Sequence, residues 1–410
     1  MKKGNNLIMG LDIGTTKTCM VVGEINGNTV DIIGIGSHPS RGLRRGMVVN
    51  IESTVDSIRR VVDEAELMAG CEISSVYTGI AGGHLKGINS QGMIALKGGK
   101  VHESDVEKVV ESAKAVVTPW DREVIHILPQ EFIVDDQSGI HEPIGMSGVR
   151  LEAKVHIVTG TTASAQNIFR CAHRSGLDVA DLILQPLASS EAALTHDERE
   201  LGVALVDIGG GTTDIAVFHR GSIKHTSVLP LGGNHITHDI AIGLRTPIND
   251  AEKIKRKYGC AYTSLIQKDE TIEIPDLGGR KPKSLFKKTL GEIIMPRVEE
   301  ILNLVRLEIV KSGYNDFITS GLVLTGGSVI LEGVPELTEE IFDLPVRIGC
   351  PIGIGGLKDV VNNPMYATGV GLVLWGSKNQ AANLLFRKNG TNSFAKAIHW
   401  AKGWFEEIFN

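Results

Sequence analysis

Leu7 to Gly36, LIMGLDIGTTKTCMVVGEINGNTVDIIGIG, and Val203 to Gly233, VALVDIGGGTTDIAVFHRGSIKHTSVLPLGG, follow one plan. Each is an apolar run, an Asp-Ile-Gly, a Gly/Thr-rich turn, a second apolar run, a polar turn and a third apolar run, the pattern of three antiparallel strands. Asn26-Gly27 is a strong hairpin signal, and Arg220-Gly221-Ser222 stands in its place in the second copy. With Asp12 matched by Asp207 and Gly14 by Gly209, the duplication predicts an α/β chain of two similar lobes facing one another across a cleft.

The residue types of the two turns suit phosphate. Glycine permits close backbone approach, so successive N–H groups can point at phosphate oxygens while Thr hydroxyls add donors. Gly14, Thr15, Thr16, Gly209, Gly210, Gly211, Thr212 and Thr213 are the candidates. Asp12 and Asp207, each closing a strand, are hard oxygen ligands suited to one Mg²⁺ held between the lobes, commonly through water. The Lys17 ammonium is expected to meet the β- and γ-phosphates as a point charge. A single such turn could be a plain hairpin with an Asp cap; its recurrence in the same strand context favours the phosphate reading. The chain contains no GxxxxGK[ST], and no GxGxxG follows a strand.

At 410 residues the chain is long enough for two or more lobes of ordinary domain size. Its 42 Lys and Arg against 48 Asp and Glu leave a net charge of -6, which argues against a nucleic-acid partner. Five scattered cysteines form no CxxC or His/Cys ligand cluster and fit a reducing compartment. The short apolar stretch after the first lysines does not read as a signal peptide. Since no run approaches the roughly 20 apolar residues of a spanning helix, any membrane contact is expected to be peripheral.

Further segments complete a known pattern. Val323 to Val334, VLTGGSVILEGV, reads as a strand, a turn and a helix start. Gln185 to Leu194, QPLASSEAAL, and Ala367 to Leu374, ATGVGLVL, read as small-residue helices that can cross closely. Asp250 to Gly259, DAEKIKRKYG, places Glu252 and Lys255 on one helical face, where an ordinary solvated ion pair is the bland alternative. Together with the paired turns these segments resemble the superfamily of actin, sugar kinases and heat-shock chaperone ATPases. Within it, PSRGLRRGMVVNIE (Pro39 to Glu52), GIAGGHLKGINSQG (Gly79 to Gly92) and LPQEFIVDDQSGIHEPIGMSGVRLEAKVHIVTG (Leu128 to Gly160) resemble the FtsA family of bacterial cell-division proteins.

The resemblance implies a two-lobed actin-like ATPase fold with a duplicated core and an FtsA-type inserted α+β subdomain. It makes Gly326, Gly327 and Ser328 an adenosine contact, Glu252 and Lys255 ribose and base neighbours, and the two small-residue segments the interdomain connecting helices. The expected organisation is a first-lobe core at 1–84, completed by about 360–376; an inserted subdomain at 85–162; a second-lobe core at 163–230; and its smaller subdomain at 231–311. Residues 312–376 would return to the second lobe and form the second connecting helix, followed by a flexible linker at 377–392. Also implied are ATP or ADP with Mg²⁺, self-association into filaments, the FtsZ C-terminal peptide on the smaller subdomain, and later division proteins on the insertion. The implied location is the inner face of the bacterial cytoplasmic membrane at the division site.

Residues 393–410 are read as an amphipathic helix. At about 100° per residue, Phe394, Ile398, Trp400, Trp404, Phe405, Ile408 and Phe409 fall on one half of the wheel, with Lys396, His399, Lys402, Glu406 and Glu407 on the other. Ser393 supplies an N-cap, and an aromatic-rich face opposite a charged one fits a helix lying in the lipid headgroup plane. Docking back onto the globular body is the alternative.

Turnover rests on Gln185, at the start of the first connecting helix, where the superfamily places a residue that orients the attacking water. Glutamine is no strong base but can position water. Hydrolysis is therefore expected to be slow, with Glu191 the weaker candidate. A metabolic kinase or a chaperone-like ATPase on the same fold is the competing class, but neither a sugar-kinase base motif nor a following peptide-binding domain is visible.

Overall fold

The computed structural model describes residues 6–27, 29–115, 119–274 and 283–386. The first sheet runs in the order Asp178–Leu184, Ser75–Ile80, Leu7–Ile13, Lys17–Asn26, Thr29–Pro39, Ile354–Gly356. The second runs Val346–Ile348, Leu322–Thr325, Val203–Ile208, Thr213–His219, Ser222–Leu229. In both, an antiparallel three-strand unit is extended beyond its first strand by two parallel strands, so the duplicated sequence becomes a duplicated topology, and the first sheet adds Ile354–Gly356 in parallel at its other edge. Every residue of Val203–Ile208 is buried, as expected for a central strand covered on both faces. Arg220 and Gly221, both at positive φ, make the two-residue turn whose twist suits a hairpin.

Two expected boundaries are corrected. The strand Asp178–Leu184 pairs parallel with Ser75–Ile80 in the first sheet, and the helix Thr162–Arg174 packs on the first-lobe helix Ile51–Ala69. The segment from 163 to 184 therefore completes the first lobe, because its apolar residues Ala165, Ile168, Leu182 and Ile183 fill that core. Nor does a linker begin at 377, since the helix Ala367–Phe386 continues through it. Lys378 Nζ lies 2.6 Å from the buried Glu191 carboxylate, which ties this polar stretch to the first connecting helix, Gln185–Ala193. The helix formers Gln380, Ala381, Ala382, Leu384 and Leu385 carry it on. The amphipathic segment 393–410 lies outside the described residues.

The insertion is a four-stranded antiparallel sheet in the order Lys86–Ala95, Arg150–Thr161, Arg122–Val134, Gln137–Ile140. The helix Glu103–Lys114 packs on it over a core of its own that includes Val106, Val109, Leu151 and Val155. It sits against the edge strand of the second lobe through a polar seam. Gln130 donates to the Ile223 carbonyl (2.8 Å) and Asn89 to that of Lys224 (3.1 Å). The buried His156 ring joins Asn89 Oδ1 (2.6 Å) to Thr226 Oγ1 (2.8 Å). Burial, with His225 nearby, lowers the His156 pKa to about 3.

An unfolded chain takes up this proton near the ordinary value of 6.5 and the folded one only near 3, so His156 costs stability as pH falls through that window. His156→Gln is expected to flatten the acid limb between pH 6 and 4, by up to about 1.4 kcal/mol per pH unit. Melting curves of both chains across that range test it; parallel pH slopes would remove His156 from the seam's energetics.

Candidate functional site

The two turns are superimposable in plan. Gly14 N–H donates to the Lys17 carbonyl (3.0 Å) and Gly209 N–H to that of Thr212 (2.9 Å), so each copy closes a four-residue loop after its Asp-Ile. They face one another across a cleft of about 520 Å³, within the range of small-molecule sites. The approach is close: a Cβ on Gly211 would lie 2.6 Å from Thr15 Oγ1, so glycine is required there by space. Thr15 is itself held by the Gly46 N–H (2.9 Å).

Gly14, Thr15, Thr16, Lys17, Gly209, Gly210, Gly211, Thr212, Asp12, Asp207, Gln185, Glu252, Lys255, Gly326, Gly327 and Ser328 all line this cleft. Thr213 does not. It begins the strand Thr213–His219, and side chains alternate along a strand, so Thr212 and Asp214 face the cleft while the buried Thr213 hydroxyl donates to the Leu231 carbonyl (2.9 Å). Lys17 reaches the cleft wall in an unexpected way: its Nζ donates to the Met365 carbonyl (2.5 Å) and sits 4.3 Å from the centroid of the Tyr366 ring. Glu191 points away from the cleft, paired with Arg199 (3.0 Å) and Lys378.

Three buried carboxylates, Asp12, Asp207 and Asp214, line the cleft. Asp12 Oδ1 accepts from Gln185 Nε2 (3.1 Å). Asp207 Oδ2 accepts from Ser189 on the first connecting helix (2.6 Å) and from Thr368 on the second (3.3 Å). Asp214, unforeseen from the sequence, is buried with Oδ2 on Thr212 Oγ1 (3.0 Å) and, among the described residues, no partner at Oδ1. Burial pushes Asp12 up to about 6, opposed by Lys17 and reinforced by Asp207. It raises Asp207 as well, with the Ser189 and Thr368 hydroxyls opposing. Asp214 goes up to about 8, through burial first and then Asp207. Among the described residues no three His, Cys, Asp or Glu side chains converge as a direct cage for a metal ion.

The opposite wall comes from the helices Gly233–Leu244 and Ile248–Tyr258. The first points its N-terminus into the cleft, where Gly233 and Asn234 donate their N–H groups to the carbonyls of Gly209 (3.0 Å) and Gly210 (2.8 Å). Lys255 pairs with Glu252 (2.7 Å) and donates to Gly233 O (3.0 Å) and Thr237 Oγ1 (2.8 Å), so the pair is half-buried and built into the wall. Although burial opposes it, Lys255 and the Thr237 and Arg256 hydrogen bonds hold the Glu252 carboxyl below its ordinary range. Gly326, at φ 90°, turns the strand Leu322–Thr325 into the cleft, and Ser328 donates to the Gly209 carbonyl (2.9 Å).

This arrangement, two hairpin turns opposed across a cleft between duplicated sheets with two crossing helices packed between them, is the actin-like fold. The PilM–PilN type IV pilus biogenesis complex matches it with a TM-score of 0.66 at 18% identity, over 92% of this chain and 99% of that one. MreB5 of Spiroplasma citri bound to ADP matches with 0.58 at 14% identity, over 94% and 99%. Family models for the cell division protein FtsA and for the SHS2 domain inserted in FtsA match residues 204–371 and 82–159. Cell division protein FtsA of Pseudomonas aeruginosa is 50% identical over 95% of this chain and 94% of its own length. That of Escherichia coli K12 is 44% identical over 98% of each, and that of Bacillus subtilis 39% over 96% and 88%. The chain belongs to the FtsA family of cell division proteins.

Proposed function

We propose that the cleft takes ATP or ADP with Mg²⁺, and that nucleotide controls a polymer which tethers FtsZ filaments at the inner face of the cytoplasmic membrane. The observation that carries the nucleotide reading is the opposition of the Gly14–Lys17 and Gly209–Thr212 turns, with their N–H groups and hydroxyls, over the buried Asp12, Asp207 and Asp214. An array of donors above massed carboxylates suits a polyphosphate whose charge is shared with a cation. The donor set fits Mg²⁺: hard oxygens, buried together, each pushed toward its neutral form until a cation compensates. Asp12 and Asp207 would hold it through water with Asp214 alongside, and the ion would offset the charge of phosphoryl transfer when bound.

Gly326, Gly327, Ser328, Glu252 and Lys255 then stand on the nucleoside side of the cleft, and the Gly233 helix N-terminus adds its dipole toward the phosphates. Gln185, fixed on Asp12, is placed to orient a water rather than to ionise, which fits slow turnover. Lys17 would leave the Met365 carbonyl to reach the phosphates. The MreB5 neighbour, whose structure is described as bound to ADP, supports the nucleotide reading by its shared fold.

The division role extends family membership. The smaller subdomain of the second lobe would take the FtsZ C-terminal peptide, and the insertion would meet later division proteins. None of the described helices is long and apolar enough to cross a membrane, and lipid contact is assigned to the amphipathic face of 393–410. Vesicle sedimentation tests it, using the full chain and one ending at Asn392, each with and without ATP and with FtsZ. The full chain is expected to pellet and bring FtsZ down, the shortened one to stay in the supernatant. Equal pelleting of the two, or no recruitment of FtsZ, would remove the tether reading.

A further inference from the structure

The inserted subdomain reaches the start of the first connecting helix through His126. His126 lies on the insertion strand Arg122–Val134, and its Nε2 accepts the N–H of Leu184 at 3.0 Å. Leu184 ends the edge strand of the first sheet and is the N-cap residue of the first connecting helix. Its side chain makes no capping bond, so the His126 ring supplies a fixed partner where the strand becomes helix. The next residue is Gln185, whose amide holds Asp12 Oδ1 at 3.1 Å. The same imidazole meets the Trp375 indole of the second connecting helix, edge-on, with centroids 5.7 Å apart and planes at 63°. A backbone N–H can only donate, so His126 must present a lone pair at Nε2 and keep its proton on Nδ1. Burial favours that neutral ring, lowering its pKa to about 4.

We infer that His126 is a positioning residue for the nucleotide site: from the inserted subdomain it fixes the start of the first connecting helix against the second, and so sets the Gln185 amide on Asp12. The inference rests on the reading that the cleft turns over ATP with Gln185 orienting water. It goes beyond that reading by making the seating of the insertion a determinant of turnover. A glutamine side chain is long and its amide responds to the backbone that carries it. Movement of Leu184 by a fraction of an ångström is passed directly to Gln185, whereas the phosphate turns and the Gly326 loop are anchored elsewhere. Turnover should therefore change without a matching change in nucleotide affinity.

Three full-length variants separate the contacts. His126→Phe keeps an aromatic ring on Trp375 and loses the acceptor, His126→Gln offers an oxygen to the Leu184 N–H and loses the ring, and His126→Ala loses both. The readouts are affinity for a fluorescent ATP analogue, phosphate release with Mg²⁺, hydrogen–deuterium exchange of the peptide containing Leu184, and melting temperature. Phosphate release is expected to fall about 10-fold in the Phe and Ala variants while affinity stays within about twofold of wild type, with the Gln variant recovering most of the rate. Exchange at Leu184 should rise in Phe and Ala and stay slow in Gln.

Wild-type rate and exchange in His126→Phe would overturn the inference. So would affinity, rate and melting temperature falling in step, which marks a merely structural residue. If the wild-type chain binds the analogue but releases no phosphate, the water-positioning role of Gln185 fails and this inference with it, leaving nucleotide binding intact. If the wild-type chain binds no nucleotide, the proposed function itself fails.

Discussion

Asp214→Asn is expected to make the chain more stable and less active at once. The Asp214 carboxyl is buried, one of its oxygens has no partner among the described residues, and Asp207 and Asp12 repel its charge. Its pKa of about 8 in the folded chain lies far above the ordinary 3.8, so folding holds a proton that the unfolded chain releases. That stability is full below about pH 3.8 and is lost as pH rises toward 8. An uncharged amide of the same shape removes the penalty. The gain in melting temperature should be clearly larger at pH 8 than at pH 5, because most of the window between 3.8 and 8 lies between those two pH values. Phosphate release with Mg²⁺ should fall roughly 100-fold, because a group that stores unfavourable charge for a cation no longer does so. Calorimetry at the two pH values and a turnover assay check both halves. A variant less stable at pH 8, or one with full turnover, would show that Asp214 is a plain structural acid.

The second large effect is expected at the crossing of the connecting helices. A Cβ on Gly371 would overlap the Ala188 carbonyl, and one on Gly10, in the strand beneath, would lie 2.6 Å from the Gly369 carbonyl oxygen. The contact is backbone on backbone, so no side chain can swing aside to make room. Gly371→Val should force the helices apart at a cost of about 3 kcal/mol or more, with a large drop in melting temperature. Because Asp207 is held by Ser189 of one helix and Thr368 of the other, nucleotide affinity should fall as well. Gly353→Ala, in open surroundings at φ 72°, is the control: its cost is about 1 kcal/mol from backbone conformation, with no effect on the cleft. Equal behaviour of the two variants would show that the close crossing does not control the cleft.

The two halves of the site differed in how far they could be read from residues. Asp12 and Asp207 stood out because a repeated Asp-Ile-Gly is a local pattern, and local patterns survive in a linear text. Asp214 was missed although it lies in the same stretch. Aligning the turns through Gly14 and Gly209 sets Asp214 opposite Cys19, and a charged residue at an otherwise buried strand position was the signal available. Thr213 was mistaken for a ligand contact because a Gly/Thr string does not say where the loop ends; once the strand begins at 213, its side chain must turn inward. Lys17 was expected on phosphate but rests on a carbonyl and a ring brought from more than 340 residues away. No spacing rule could announce that contact.

The sequence by itself determined the repeated strand–turn–strand units, the helices Gln185–Ala193 and Ile248–Tyr258, and the glycines that allow close approach, because hydrogen bonding and backbone sterics act between neighbours. Tertiary structure alone decided that 163–184 completes the first sheet, that the polar stretch after 377 stays helical with Lys378 paired to Glu191, and that His126 of the insertion reaches the residue before Gln185. Those outcomes depend on which unpaired edge, buried charge or open backbone N–H finds a partner far along the chain. Burial sets that energy, and burial exists only once the lobes have closed on one another.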